Sequence, residues 1–379
     1  MKKKIAFITA TRADYGKIKS IIFKLSRVLK FEIYIFVTGM HLQKKYGSTY
    51  IQILKENKNN CKLFLSSNYC KNNVQDKILS KTINLFSNYI KKIKPDMIFV
   101  HGDRVESLAA SISGSLNNFL VAHIEGGEIS GTIDEHMRHA ISKMSHLHFV
   151  SNIYAKKILK LLGEKNKSIF NVGSPDIDVM KSKKLPKLEH VKEKYQISFD
   201  KYSISILHPV NSRLKNLKKD CFNYFKALVD SEKKYILIYP NNDPGSRIIL
   251  NEIKKLENNK NFKIIASMRF EYFLTLLKNA EFIIGNSSAA IREAPFYGIK
   301  GFDIGDRQKF RFTSSNITNL GFNYKSILRK IKKKYKKNYS KSKLYGKGDA
   351  SNKIVKILKK KNIWKTEIQK YMTHKVQSC

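Results

Sequence analysis

Short apolar runs alternate along this chain with longer stretches whose apolar residues fall at helical spacing. That alternation limits the fold more than any other feature. In the first half the runs are KIAFITA, FEIYIFVTG, DMIFVHG, FLVAHIE, LHFVS and IFNVG. Helices are predicted over 14–29 and 76–93, and the stretch before Gln75 reads as polar connection. Strands separated by helices pair in parallel and need cover on both faces. After Gly173-Ser174-Pro175 the pattern loosens into a lysine-rich connection, then restarts with YSISILHPV, YILIYPNND, FKIIAS, EFIIGNSSA and GFDIG. The expected fold is therefore α/β, two doubly wound Rossmann-like domains facing a cleft, divided as 1–178 and 179–379. At 379 residues the chain is long enough for two cores. A last helix with apolar Ile354, Ile357, Ile363 and Trp364 is expected to pack back onto the first domain.

In open parallel sheets ligands gather outside the carboxyl ends of the strands. Chemistry is concentrated there between His101 and His148, which hold six of the ten histidines. One strand run ends in Gly102-Asp103-Arg104, the next in Glu125-Gly126-Gly127-Glu128. A lone aspartate before a helix is most often an N-cap. Capping does not account for Glu125, nor for Asp103, Glu125 and Asp134 falling within 32 positions, a pattern that suits acid–base chemistry. Thr11-Arg12-Ala13-Asp14 follows the first strand, where a helix start and an arginine together suit an anion. In the second half, Gly285-Asn286-Ser287-Ser288 supplies hydroxyls and amides for a diphosphate. Glu293, placed on the same emerging helix, suits ribose hydroxyls. His208 ends the restarting strand, and Arg307 and Arg311 add positive charge. No GxGxxG, P-loop, HExxH or Cys/His metal spacing is present, so neither a nicotinamide cofactor nor a metal is expected.

The formal charge of +43 raises nucleic-acid binding as an alternative. The charge is spread along the chain, mostly as lysine, in company with abundant Asn, Ile and Tyr, as A/T-biased coding would give. No RNP, KH or zinc-finger pattern accompanies it. The dense basic stretch from Arg329 to Gly348 reads as a solvated face or loop. Cys61, Cys70, Cys221 and Cys379 form no CxxC pair and are read as reduced thiols. No run of 18 apolar residues exists, and MKKKIAFITATRAD has Arg and Asp where a signal peptide needs its cleavage site. A cytoplasmic protein without membrane contact is expected.

The stretches ITATRADYGKIKS, FVTGMHLQKKYGSTY, HGDRVESLA, HIEGGEISGTIDEHMRHAISKMSHLH, GSPDIDVM, YPNND, RFEYFLTLLKNAEFIIGNSSAAIREAPFYG and GDRQ together resemble the hydrolysing UDP-N-acetylglucosamine 2-epimerases, in particular the sialic-acid branch. They span nearly the whole chain in family order. The resemblance implies a GT-B-like fold, a UDP-sugar substrate, no cofactor and a homodimer. It implies elimination of UDP through a 2-acetamidoglucal, then addition of water to give N-acetylmannosamine. It carries Asp103, Glu125, Asp134 and His208 over as catalytic. Arg12, Ser287, Ser288, Glu293 and Arg307 are carried over as UDP-binding, with Asp14 and Arg104 beside them. A diacetamido-trideoxyhexose nucleotide is the alternative substrate, and glycosyl transfer on the same fold the alternative reaction. The chain departs from the family in HPVNSR, where HPVTTE is usual, in GDRQ, where GTRQ is usual, and in Ile299-Lys300, where a proline is usual.

Overall fold

The computed structural model describes residues 2–66, 74–130, 132–241, 243–311, 314–335 and 339–371. It divides into two compact units, one of Met1–Ile129, Asp134–Lys181 and Leu344–Cys379, the other of Ser130–Ile133 and Ser182–Lys343. Cys70 and Cys379 lie outside the described residues, and Cys61 and Cys221 are free thiols.

The first unit is built on a seven-stranded sheet of β1 (Lys3–Thr9), β2 (Phe31–Val37), β3 (Lys62–Leu65), β4 (Met97–His101), β5 (Leu120–Ile124), β6 (Leu147–Val150) and β7 (Ile169–Asn171). Its order is β3-β2-β1-β4-β5-β6-β7, every pair parallel. Successive strand side chains point to opposite faces, and both faces are apolar. Ile5, Phe7, Ile33 and Ile35 pack on one side with helix Arg12–Leu25, while Ala6, Ile8, Tyr34 and Phe36 pack on the other with helix Gln75–Ile93. The chain then returns from the second unit, and helix Ala350–Leu358 lays Ile354 and Leu358 into the first of these cores. By compactness the second unit therefore ends at Lys343, not at residue 379. Asp178 fixes the start of that returning helix by accepting hydrogen bonds from the Ala350 and Ser351 amides at 2.9 and 2.8 Å.

The second unit holds β8 (Ser203–Ile206), β9 (Tyr235–Ile238), β10 (Phe262–Ile265), β11 (Phe282–Gly285), β12 (Lys300–Ile304) and β13 (Ile317–Leu320). They form a six-stranded parallel sheet in the order β10-β9-β8-β11-β12-β13. Two strands, β3 and β13, were not anticipated. Both are edge strands in part exposed along their length, so neither carries the continuous apolar run of a central parallel strand. In each unit the strand order reverses once, between β1 and β4 and between β8 and β11, and the crevice at the carboxyl end of such a reversal is where doubly wound sheets bind ligands. Among the described residues, no helix is long and apolar enough to cross a membrane.

Candidate active site

At the reversal in the first unit, the loop after β1 is drawn tight by Asp14. Its carboxylate accepts from the Thr9 hydroxyl at 2.6 Å, the Ala10 amide at 3.0 Å and the Thr11 amide, while the Thr11 hydroxyl caps helix Arg12–Leu25 in return. Burial pushes the Asp14 carboxyl up, but the His41 ring and these donors outweigh it and bring it down to about 2. The protons of the chain are ordered. Thr9 gives its hydrogen to Asp14, so His41 Nε2–H donates to Thr9 at 3.0 Å, and the other ring nitrogen, Nδ1, is hydrogen-bonded to the Thr49 hydroxyl at 2.5 Å. Asp14 thus shapes the loop that carries Arg12 at its helix start.

Asp103 follows β4 and Gly102, whose φ is +69°. It does not cap helix Val105–Leu116, which begins without a side-chain cap. It pairs instead with the guanidinium of Arg138, 2% exposed, on helix Ile133–Met144. The same guanidinium donates to the Glu128 carbonyl at 2.8 Å. Burial works against the charge of Arg138, but Asp103, Glu128 and Asp134 together hold its pKa above the ordinary value. Arg104 and the buried Glu106 pair at 3.3 Å beside them. One turn before Arg138 on that helix lies Asp134.

Glu125, directly after β5, adopts φ of +65°, a left-handed conformation rare outside glycine and costly enough that it persists only where surroundings impose it. Its amide is fixed to the Phe149 carbonyl at 3.0 Å, its carboxylate accepts from the Ser174 hydroxyl, and His101 Nε2 lies 3.3 Å from its other oxygen. His123 locks the floor. Its Nε2–H donates to the Gly102 carbonyl at 2.7 Å, leaving Nδ1 to accept from Ser142, and burial drives its pKa down to about 3, so the ring stays neutral. His146 and His148 serve the opposite ends of the strands. His148 bonds Glu164 at 2.9 Å, and His146 accepts from the Val121 amide. His139 lies 3.7 Å from Glu135. Among the described residues no three His, Cys, Asp or Glu side chains are grouped to hold a metal ion.

The second unit gathers a different set. Gly285 ends β11 with φ of +133°, and a Cβ there would sit 1.8 Å from the Ile206 carbonyl oxygen of β8, so only glycine lets the two strands meet. Asn286 then latches the neighbouring loop: its side chain accepts from the His208 amide at 2.7 Å and donates to the His208 carbonyl at 2.8 Å. Its own carbonyl accepts from Gln308 at 2.9 Å and faces Arg307 at 3.5 Å. His208, Ser287 and Arg307 are thereby assembled around one asparagine. The Asn241 amide donates to His208 Nδ1 at 3.0 Å, which places the ring proton on Nε2. Burial, helped by Arg307, holds the His208 pKa well below its usual value. The ring is a neutral N–H donor.

Ser287 caps a short 3₁₀ turn, Ser288–Ala290, and Glu293 opens a separate five-residue helix, Glu293–Tyr297. The expectation that Glu293 lies on the helix emerging at Ser288 is corrected. Pro295 has no N–H and fits only a helix's first turn, so the helix begins at Glu293. The two departures HPVNSR and GDRQ meet each other. Arg213 holds Asp220 at 2.9 Å and reaches Asp306 at 3.5 Å, so the Asp306 carboxylate shares that cation with Asp220. The pair is exposed and contributes about 1 kcal/mol at most.

Sequence reasoning missed His101, Arg138 and Ser174 as site residues, and Asn286 as the latch between the loops after β8 and β11. Each acts on a residue far away in the chain, and no local motif marks such a partner.

A family model described as UDP-N-acetylglucosamine 2-epimerase matches residues 24–359. A UDP-N-acetylglucosamine 2-epimerase of Neisseria meningitidis is 46% identical over 325 residues, covering 86% of this chain and 85% of that protein. The chain belongs to the UDP-N-acetylglucosamine 2-epimerase family. A hydrolysing UDP-N,N'-diacetylbacillosamine 2-epimerase of Legionella pneumophila is 32% identical over 95% of this chain and 96% of its own length. Among solved structures, a Neisseria meningitidis UDP-GlcNAc 2-epimerase bound to UDP-GlcNAc has a TM-score of 0.79 at 19% identity, covering 94% of this chain and 99% of that one. The Methanocaldococcus jannaschii enzyme in complex with UDP-GlcNAc and UDP has a TM-score of 0.77 at 23% identity over 94% and 99%. At such identities the likeness establishes the fold, two GT-B-like Rossmann units, and nothing finer.

Proposed function

We propose that this family member hydrolyses UDP-N-acetylglucosamine with inversion at C2, releasing UDP and N-acetylmannosamine for sialic-acid synthesis. The reading places it as a homodimer in the cytoplasm. The observation that carries the chemistry is Glu125, with a left-handed backbone and a buried carboxylate that accepts from Ser174 and lies 3.3 Å from His101 at the end of β5, with Asp103 salt-bridged to Arg138 at the end of β4. Such residues are what a reaction moving two protons at one carbon requires.

In the proposed sequence a carboxylate removes the C2 hydrogen as a proton, the C–H electrons form the C1=C2 bond, and the C1–O bond breaks toward the diphosphate. UDP leaves with that electron pair. Water then adds to C1 of the 2-acetamidoglucal while C2 takes a proton on the opposite face. Asp103, Glu125 and Asp134 supply the acid–base groups. His208 Nε2–H, the Ser287 and Ser288 hydroxyls, Arg12, Arg104 and Arg307 meet the charge that develops on the leaving diphosphate. Glu293 serves the ribose, and Asp14 acts by shaping the Arg12 loop.

Incubation with UDP-N-acetylglucosamine in deuterium oxide, with neither NAD nor acceptor, tests this. Free N-acetylmannosamine carrying deuterium at C2 is the expected product, and retained substrate hydrogen at C2 would contradict the mechanism. The 46% relative favours this sugar over that of the 32% relative. Turnover of UDP-N-acetylglucosamine beside its 4-acetamido-4,6-dideoxy analogue checks that choice, and a strong preference for the analogue reverses it. Light scattering checks the dimer.

A further inference from the structure

The last four carbonyls of an α-helix have no partner within the helix. Helix Ile133–Met144 carries Asp134, Arg138 and Ser142, and its end is closed by a residue more than 220 positions later in the chain. Lys370 Nζ is surrounded by the carbonyls of Ser142, Lys143 and Ser145 at 3.0, 2.9 and 2.8 Å and by Glu164 at 2.8 Å, four acceptors that share its three hydrogens. Glu164 in turn receives His148 Nε2 at 2.9 Å. Two residues before Lys370, the Ile368 carbonyl accepts from His146 Nε2 at 2.9 Å. The C-terminal segment is thus pinned to this helix and to β6 by bonds from an ammonium group at a helix carboxyl end, the sign the helix dipole favours.

The helix so anchored holds the reaction geometry by two routes. Through Arg138 it holds Asp103 and the Glu128 carbonyl. Through Ser142 it holds His123, and His123 holds the Gly102 carbonyl, one residue before Asp103.

We propose that Lys370 is a positioning residue for proton transfer: by capping helix Ile133–Met144 it keeps Asp103 and Asp134 in register with the reacting carbon. The inference rests on the epimerase reading. It predicts a defect in chemistry much larger than any in nucleotide binding, because His208, Ser287, Ser288, Glu293 and Arg307 of the UDP set belong to the other unit and, on the first unit, Arg12 starts a different helix.

The test compares the full-length parent with Lys370→Met, Lys370→Ala and, as control on the same segment, the exposed Lys360→Met. In Lys370→Met, kcat for UDP-sugar hydrolysis falls by about 10- to 100-fold, the scale on which small misplacements of reacting groups act, while KM and UDP affinity stay within about 3-fold of the parent. Lys360→Met keeps the parent kcat. A cavity of about 390 Å³ beside Lys370, with His146, Glu164, Phe170 and Ile363 in its wall, gives a small cation room to enter. Ethylammonium therefore restores kcat of Lys370→Ala, and tetramethylammonium, which has no N–H to donate, does not. Hydrogen exchange without substrate gives an activity-independent readout: amides of 134–145 lose protection in Lys370→Met and those of β8 and β11 do not.

Parent-like kcat in Lys370→Met overturns the proposal. So does a loss that follows only the unfolded fraction by circular dichroism and is not rescued by ethylammonium. If the parent itself does not turn over UDP-sugars, the functional reading fails. The exchange experiment then still shows whether Lys370 holds the helix.

Discussion

At the scale of single residues, the two carboxylates at the ends of β4 and β5 are expected to fail differently from any nucleotide-binding group. Asp103→Asn and Glu125→Gln keep the size and a hydrogen-bonding oxygen but cannot accept the substrate proton. Each is expected to lower kcat by about 10²–10⁴-fold, the usual contribution of a general acid or base, with UDP affinity by calorimetry unchanged. Turnover within a few-fold of the parent would remove that residue from the acid–base set. Asp103→Asn also leaves the buried Arg138 charge without its carboxylate, so thermal stability should drop in that variant more than in Glu125→Gln. Asp303, at the end of β12, is a second acid with an unusual setting, 3% exposed. Burial pushes its carboxyl up to about 7, with Arg311 and Arg307 pulling against that and Asp306 adding to it. The folded protein therefore holds this proton more tightly than the unfolded chain, whose aspartate stays near 3.8. The group costs nothing below about pH 4, and its penalty grows as pH rises toward 7, reaching roughly 4 kcal/mol above it. Asp303→Asn removes the titration. Urea unfolding should show the variant gaining on the parent between about pH 5 and pH 8, and a difference that does not vary with pH would show that Asp303 is ionised throughout.

At the scale of elements, the central strands were legible because a strand covered on both faces must be apolar throughout. MIFVH and FLVAHI could be nothing else, and their ends located Asp103 and Glu125. The edges were not legible: KLFL and ITNL are four residues long, contain lysine, threonine or asparagine, and read as connection until the sheet pairs them. Helix breaks were half legible, since Pro295 marks a first turn but not which turn. The positive φ of Glu125 left no mark in the sequence, because only its tertiary partners impose it. Nor did the meeting of Arg213 with Asp306, since each looks like an isolated loss of a family residue until both are placed. Gly285 is where strand pairing and site coincide. Its missing side chain lets β11 lie against β8, and the next residue latches His208. Gly285→Ala should push the strands apart, cost more than the roughly 1 kcal/mol of an ordinary Gly/Ala backbone effect, and weaken UDP binding through the displaced asparagine. Parent-like UDP affinity in a folded Gly285→Ala protein would show that the latch is dispensable.

At the scale of the whole molecule, the +43 charge and the crossing of the C-terminal segment are the two features that local patterns explain least. The charge fits the lysine-rich outer faces of the helices, and several carboxylates keep specific partners within it: Arg138 for Asp103, Lys370 and His148 for Glu164, and Arg213 for Asp220 and Asp306 together. The crossing follows from burial. Helix Ala350–Leu358 and the turn after it have an apolar side of Ile354, Leu358 and Ile363, and the surface that accepts it lies beside Ile18, Ile22 and Phe31 at the start of the chain. A segment contiguous in sequence with the second unit is therefore part of the first unit's core. Leu358→Ala should remove about 2–5 kcal/mol, as for other fully buried leucines. The loss should appear in the first sheet, where amides of β1 and β2 exchange faster, while those of β8, β9 and β11 keep the parent rates. The opposite pattern, with the second sheet loosened and the first unchanged, would return residues 344–371 to the unit that precedes them in the chain.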